Sequence, residues 1–129
     1  MNLPTFRPRQ ILEYEGLNIM ILDIETTGLN ANESEIISIG MRMGDKDLIL
    51  SRKSMDEEQI ICAFLKIMKE SQCQILVGHN IFNFDLPFIE KRAISLGIKV
   101  PFTQTSYQIN IISSSVNGKP ISFLNIKRS

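Results

Sequence analysis

LNIMILDIETTGL, residues 17–29, is a mostly apolar run that ends in two carboxylates, two hydroxyls and a glycine. Side chains on a strand alternate between its two faces, so a strand here would point Asp23 and Glu25 to one side and Ile24 to the other. Two neighbouring carboxylates beside a dry core favour a hard divalent cation held between oxygen ligands. We expect Gly28 to supply a positive φ that turns the chain away and leaves both carboxylates open.

The same stretch has a simpler explanation. Asp-x-Glu is a common pattern, and Asp23 capping a turn beside a solvated Glu25 explains it as well as a metal site does. The choice between the two depends on the rest of the chain.

Composition indicates one small folded domain of 129 residues, with 43% hydrophobic and 22% charged residues. Two cysteines, Cys62 and Cys73, and the single histidine His79 are too few for a four-ligand zinc site, so reduced and buried thiols are expected. The sequence shows neither a signal-peptide pattern nor an apolar run long enough to span a membrane, which predicts a cytoplasmic protein without membrane contact.

The charges are unevenly distributed although the formal net charge is zero. All the acidic residues lie within residues 1–90, while residues 91–129 contain basic residues and no acidic one. A basic segment facing an acidic site is suited to a phosphate backbone, and a solvated tail is the alternative. The zero net charge excludes a global basic surface of the kind that dominates nonspecific nucleic-acid binding.

Three strands are predicted in the first half of the chain, over residues 17–24, 35–43 and 47–53. The turn Gly44-Asp45 joins the last two, which suggests an antiparallel meander. In the second strand the alternation predicts a shared face for Ile37, Ile39, Met41 and Met43.

The second half alternates helices and strands. A capping-box pattern, Ser54-Met55-Asp56-Glu57, precedes an apolar helical stripe that ends near Ser71, and residues 75–77 form a fourth strand parallel to a neighbour. A second helix over residues 85–96 ends at the C-terminal cap Gly97. The chain then continues with a fifth strand over residues 107–112, a polar turn-rich segment over 113–120 and an unassigned end. This order of strands and helices predicts an α/β fold with a mixed sheet.

A second polar site is predicted where the fourth strand leads into the second helix, in GHNIFNFDLPFI, residues 78–89. Asp85 falls in the first turn of that helix, where free N–H groups and the helix dipole favour an anion. From this stretch alone, a structural N-cap at Asp85 is favoured over a metal ligand. Pro87 supports the helix start in either case.

Together the two stretches resemble the first two motifs of the DEDD superfamily of 3′-5′ exonucleases, most closely the proofreading domain of family-B DNA polymerases. The first motif of that family, Asp-Ile-Glu-Thr-Thr-Gly, stands at residues 23–28. The second, Asn-x-x-x-Phe/Tyr-Asp followed by Leu-Pro, stands at Asn80, Phe84, Asp85, Leu86 and Pro87. The resemblance covers roughly residues 17–98.

The resemblance implies a ribonuclease H-like fold, with residues 1–129 as a single domain that is truncated after about residue 112. It also implies two-metal phosphodiester hydrolysis with Mg²⁺ or Mn²⁺. By similarity Asp23 would bridge both metals, Glu25 would hold the metal that carries the attacking water, and Asp85 would reach the second metal. The residues that would bind the 3′ end of single-stranded DNA or RNA are Thr26, Thr27, Leu29, Asn80 and Phe84.

The sequence departs from the family at its fourth carboxylate. The family has a late aspartate preceded by a Tyr or His, but no Asp or Glu follows Glu90, and neither Tyr107 nor His79 precedes an aspartate at the right spacing. The metal that activates water would therefore lack a ligand, which impairs such sites.

Three interpretations stay open. The chain is an exonuclease whose last ligand comes from water, from a second copy in a homodimer or from another polypeptide. Alternatively, it is a catalytically inactive nucleic-acid-binding or subunit-interaction domain that uses Lys119, Lys127 and Arg128. The third interpretation is a fragment of a longer exonuclease gene with no role of its own.

Overall fold

The computed structural model of the chain describes residues 18–100, together with the backbone of three short segments nearer the C-terminus. The main sheet contains five described strands, which are β1 (Ile19–Thr26), β2 (Ile36–Met43), β3 (Lys46–Ser51), β4 (Ile75–His79) and β7 (Ser122–Ile126). Their order across the sheet is β3-β2-β1-β4-β7. Between β4 and β7 in sequence, β5 (Ser115–Val116) and β6 (Lys119–Pro120) form a separate antiparallel pair.

The central strand β1 determines the topology of the sheet. It pairs antiparallel with β2 and parallel with β4, and β2 pairs antiparallel with β3. The antiparallel meander and the parallel fourth strand are therefore confirmed, as is the α/β class with a mixed sheet. β4 runs parallel to β1 because helix α1 (Glu57–Glu70) carries the chain back to the start of the sheet.

One face of the sheet builds the core against α1 and the second helix, α2 (Leu86–Ser95). β1 contributes Met20, Leu22 and Ile24, and α1 contributes Ile60, Ile61, Phe64 and Met68, all buried. The apolar stripe predicted for α1 also includes Leu65; it is confirmed at these four positions, and Leu65 is partly buried against the core. Phe88, Ile89 and Ala93 supply the buried side of α2.

The predicted alternation of β2 is wrong at two residues, Ile36 and Ile37. Ile37 is exposed while Ile36, Ile39 and Met41 are buried. The cause is a shift in the β1–β2 register, where Glu25 pairs with Ser38 but Thr26 pairs with Ile36. Ile37 has no partner on β1, so the alternation reverses at this bulge.

The start of α1 also differs from the prediction. Its N-cap is Asp56, whose Oδ1 accepts from the Gln59 N–H at 2.8 Å, and Gln59 Oε1 accepts from the Asp56 N–H at 2.9 Å. This is a complete capping box two residues after the predicted one at Ser54. Glu57 therefore does not cap the helix, and its side chain makes a different contact, which is described below.

A one-turn π-helix (Ile81–Asp85) precedes α2 and was not predicted. Asn80, with a φ of 57°, begins it, and the Leu86 N–H donates to the Ile81 carbonyl at its end. The predicted cap at the other end of α2 is confirmed. Gly97 has a φ of 75°, and the Ile98 N–H donates to the Ala93 carbonyl at 2.8 Å.

The last part of the chain is described only in part. The strand predicted over residues 107–112 lies outside the described residues. The antiparallel pair β5–β6 falls within the segment predicted to be polar and turn-rich. β7 lies in the end that the sequence left unassigned, and it pairs parallel with β4 from Ser122 to Ile126.

Both cysteines are free thiols, but only Cys73 is buried. The prediction of a buried thiol is wrong for Cys62, because that residue lies on the solvent side of α1. Burial raises the pKa of the Cys73 thiol to about 12, so this group stays protonated. Within the described residues, no helix has the length and apolar character needed to cross a membrane.

Candidate active site

Strand β1 presents the first pair of carboxylates as the sequence predicts. Leu22 and Ile24 are buried in the core, whereas Asp23 and Glu25 lie on the opposite, exposed face. The alternation of a regular strand produces this arrangement. Asp23 pairs across the sheet with Gly40, and this lack of a side chain on β2 leaves space beside the carboxylate.

The loop after β1 is fixed by its threonines. The Thr26 hydroxyl donates to the Gly28 carbonyl at 2.6 Å. Thr27 exchanges two bonds with Glu35, because its N–H donates to the Glu35 carbonyl and its hydroxyl accepts from the Glu35 N–H, both at 2.9 Å. Both threonines therefore have a structural role in closing the loop between β1 and β2.

The prediction of a positive φ at Gly28 is wrong. The described glycines with positive φ are Gly44 and Gly97. Gly28 is needed for another reason, because a Cβ at this position would overlap the Ser34 hydroxyl. The loop thus turns away from the carboxylates by close packing of its two ends.

Asp85 reaches the site from the π-helix and is 4% exposed. It adopts helical dihedral angles and its side chain makes no capping hydrogen bond, so the structural N-cap favoured from the sequence is wrong. Its Oδ2 is the one buried side-chain oxygen or nitrogen of the described residues that has no hydrogen-bond partner. A buried, unpaired carboxylate oxygen is costly, and such groups commonly face a ligand.

The electrostatics couple Asp85 to Asp23. Burial raises the pKa of Asp85 to about 7, and the negative charge of Asp23 adds to this effect. The backbone groups of Ile24 and of Asp85 itself oppose the rise by hydrogen bonding. Near neutral pH the Asp85 carboxyl is therefore divided between its protonated and ionised forms, and a cation beside both oxygens would favour the ionised form.

These two carboxylates meet for a topological reason. Asp23 lies near the C-terminal end of β1, and Asp85 follows the C-terminal end of β4, which runs parallel to β1. Gly78 on β4 allows the close turn, since a Cβ there would lie 2.9 Å from Ile81 Cδ1 and 3.1 Å from the Leu22 carbonyl oxygen.

The donor set fits a divalent cation in part. An unpaired buried oxygen on Asp85 and a second carboxylate on Asp23 are the hard oxygen ligands that Mg²⁺ and Mn²⁺ prefer. Within residues 18–100, however, no three acidic, histidine or cysteine side chains form a group suited to a metal ion. Glu25 shares the exposed face with Asp23 without joining such a group. The metal-binding roles of all three acids stay predictions.

A cleft of about 300 Å³ lies between the β1–β2 loop and the start of α2. Leu29 and Phe84, which the sequence predicts to bind substrate, both line it. Leu29 is 87% exposed, and the Phe84 ring lies 5.4 Å from that of Phe88 at an angle of 44°. A cleft lined by an exposed aliphatic group and an aromatic ring suits a flat base.

The other predicted substrate residues lie elsewhere. Asn80 is exposed at the start of the π-helix, while Thr26 and Thr27 hold the loop, and none of the three is among the described residues that line the cleft. Sequence reasoning missed Asn83 and Lys91, which line it. Lys91 follows Phe88 by three residues on the predicted helix, but nothing in the sequence places that side of the helix against the loop that carries Leu29.

A buried ion pair fixes the position of α2. Arg92 donates to Glu57 through Nε at 2.8 Å and through one terminal nitrogen at 2.6 Å, and also to the Ala31 carbonyl at 3.2 Å. Glu57, 5% exposed, also accepts from the Ile36 N–H at 2.8 Å. Burial alone would raise the pKa of Glu57, but the hydrogen bonds from Arg92 and Ile36 outweigh it and hold this pKa below the ordinary value. The pair links α1, α2, β2 and the loop that carries Leu29.

Comparisons with known proteins agree with this architecture. Residues 5–122 match the model of the family described as "DNA polymerase family B, exonuclease domain". An uncharacterized protein of Methanocaldococcus jannaschii is 36% identical over 80 residues, which cover 62% of this chain and 44% of that protein. A DNA polymerase of Pyrococcus glycovorans is 31% identical over 99 residues, which cover 67% of this chain and 13% of the polymerase.

Among solved structures, the family B DNA polymerase from Pyrobaculum calidifontis aligns with a TM-score of 0.60 at 22% sequence identity. The alignment covers 66% of this chain and 12% of the polymerase, and it supports the fold. The chain thus belongs to the exonuclease-domain family of the family B DNA polymerases, which confirms the resemblance. The chain spans less than half the length of these relatives.

Proposed function

We propose that the chain is a divalent-metal-dependent 3′-5′ exonuclease domain that acts on single-stranded ends of DNA or RNA. Family membership supports this reaction class. The observation that carries the proposal is the unpaired, buried Oδ2 of Asp85 beside the charge of Asp23. The proposal takes residues 1–129 as one ribonuclease H-like domain.

Asp23 and Asp85 would hold Mg²⁺ or Mn²⁺, with Glu25 on the same strand face as Asp23. The bound cation would supply Lewis-acid polarisation of the phosphate and a lower pKa for an attacking water. The chain itself contributes the other steps. Asp85 would lose its proton on becoming a ligand, and Leu29 and Phe84 would hold the terminal base in the cleft.

The fourth ligand of the family has no counterpart in the sequence, since no acidic residue follows Glu90. In the proposed site that position is taken by water, by a second copy of the chain or by another polypeptide. Slow turnover is the expected consequence, because an incomplete ligand shell weakens metal binding and activity.

The test is digestion of a 5′-labelled single strand with Mn²⁺. Shortening from the 3′ end is expected, and Asp23→Asn should abolish it. Asp47→Asn is the matched control, since Asp47 is an exposed acid on β3 whose partner is Arg42. Absence of any shortened product, or equal activity of Asp23→Asn and the wild type, would refute hydrolysis.

The second candidate function is binding of nucleic acid without turnover. The absence of acidic residues from residues 91–129 favours it. In this case the wild type binds a single strand with Mn²⁺ and leaves it intact. Neutralising Lys119, Lys127 and Arg128 should then weaken binding and reduce its salt dependence.

A further inference from the structure

Lys91 is the one basic residue among the described residues that line the cleft between Leu29 and Phe84. Its side chain is exposed and makes no ion pair in the described part of the chain. The described arginines differ in this respect, since Arg42, Arg52 and Arg92 each contact a carboxylate. Lys91 is therefore a cation available to a ligand in the cleft.

The helix places Lys91 in line with the aromatic residues. Phe88 and Lys91 are three residues apart on α2, so they lie on the same side of the helix, and the tilted ring of Phe84 in the preceding turn lies next to that of Phe88. The helical rise puts Lys91 about 4.5 Å further along the axis than Phe88. A cation thus follows two aromatic rings along one edge of the cleft.

The backbone of Lys91 is held in place by its neighbour. Arg92 makes the buried pair with Glu57 and also bonds to the carbonyl of Ala31, which itself lines the cleft. The two walls of the cleft are therefore connected directly beside Lys91. A flexible lysine side chain on a fixed backbone position suits a phosphate, which it contacts as a point charge.

A cation in this cleft suits a nucleic-acid strand. The phosphates of a strand that enters the cleft are negatively charged, and Lys91 is the described side chain of the lining that offsets this charge. Proteins commonly hold single strands by stacking the bases on aromatic side chains and by placing lysine or arginine along the phosphate backbone.

We propose that Lys91 is a positioning residue that contacts an internucleotide phosphate near the 3′ end when the terminal base lies in the cleft that Leu29 and Phe84 line. The inference rests on the proposed function and specifies its substrate as an oligonucleotide rather than a single nucleotide.

The experiment measures binding of a 5′-fluorescent single strand by anisotropy with Mn²⁺ present. The last linkage of the strand carries a methylene group in place of the leaving 3′ oxygen, so the strand keeps its charge and is not cleaved. Lys91→Gln should weaken binding about fivefold and reduce the salt slope by roughly 0.7, the value for one phosphate contact on a single strand. Lys66→Gln, an equal charge change at an exposed residue of α1 outside the cleft, should leave both unchanged.

Strands with a neutral methylphosphonate at the second, third or fourth linkage then locate the contact. Neutralising the contacted linkage should weaken wild-type binding about as much as Lys91→Gln does, and should have no further effect on that variant. Unchanged binding by Lys91→Gln would overturn the inference. It would also be overturned if each neutral linkage weakened binding by Lys91→Gln as much as it weakens binding by the wild type. If Lys91 and one linkage are coupled in this way but the wild type cleaves no natural strand, the proposed hydrolysis is refuted and the role of Lys91 stands. If the wild type binds no strand, the proposed function and the role of Lys91 are both refuted.

Discussion

Asp85 sets how the stability of the metal-free protein depends on pH. Its folded pKa of about 7 lies above the ordinary value of 3.8, so the folded state binds this proton more tightly than the unfolded state. Its contribution to stability is complete below about pH 4 and is lost as the pH rises through 7. The buried charge then destabilises the fold at alkaline pH.

Asp85→Asn removes this titration and keeps the shape of the side chain. Without metal, the variant should gain stability relative to the wild type between pH 5 and pH 8, by on the order of 2 kcal/mol. Urea denaturation at both pH values in EDTA measures the difference. A gap between the two proteins that is the same at both pH values would contradict the assignment.

Substitution of Gly78 tests whether the close packing of β4 against Ile81 and Leu22 is needed for the turn that brings Asp85 to the site. Gly78→Ala places a Cβ against Ile81 at 2.9 Å and against the Leu22 carbonyl oxygen at 3.1 Å, which should cost about 1–3 kcal/mol of stability through overpacking. Gly40→Ala is the matched control, because its Cβ meets only the Asp23 carbonyl oxygen at an ordinary 3.6 Å. Thermal denaturation of both variants should separate them; equal melting temperatures would show that the turn after β4 tolerates a side chain.

At the scale of elements, the pair Arg92–Glu57 determines how α2 packs on α1. Arg92→Met leaves Glu57 buried without its cation and should destabilise the protein by about 3–5 kcal/mol. Glu57→Leu combined with Arg92→Met should restore much of this loss, since both charges are then absent. Urea denaturation gives these values.

The exposed pair Arg42–Asp47 provides the comparison for this prediction. Arg42→Met should lower the stability far less than Arg92→Met does, because solvent screens an exposed pair. Similar losses for Arg42→Met and Arg92→Met would contradict the importance assigned to the buried pair.

The sequence predicts helices and strands well where the pattern of apolar residues is periodic. It predicts them less well where a contact with a residue distant in sequence determines the local structure. The alternation in β1 and the apolar stripe of α1 are local patterns, and both are confirmed. The sequence predicts the wrong cap for α1 because Ser54-x-x-Glu57 and Asp56-x-x-Gln59 both satisfy the capping pattern. Glu57 contacts Arg92, 35 residues further along the chain, and no local rule reveals that.

The same reasoning applies to the bulge and to β7. The register shift at Ile37 arises from pairing with β1, so the sequence of β2 alone predicts the wrong face there. β7 is short, and its place at the edge of the sheet comes from parallel pairing with β4 rather than from its own pattern.

At the scale of the whole molecule, the sequence predicts that Asp23 and Asp85 come together. Each follows or ends a strand, and the two strands are parallel neighbours, so their C-terminal ends meet. The position of Lys91 beside the cleft required the structure, because it depends on how the β1–β2 loop packs against α2. Family membership extends over residues 5–122 and agrees with both motifs.

The decisive measurement is calorimetric titration of the wild type with Mn²⁺ near pH 6.5, in two buffers of different ionisation enthalpy. We predict saturable binding that releases protons, because Asp85 is largely protonated at that pH and becomes ionised as it binds the cation. Asp85→Asn should lose both the binding and the proton release, whereas Asp47→Asn should keep them. Absence of heat with the wild type, or unchanged Mn²⁺ binding by Asp85→Asn, would contradict a cation site between Asp23 and Asp85.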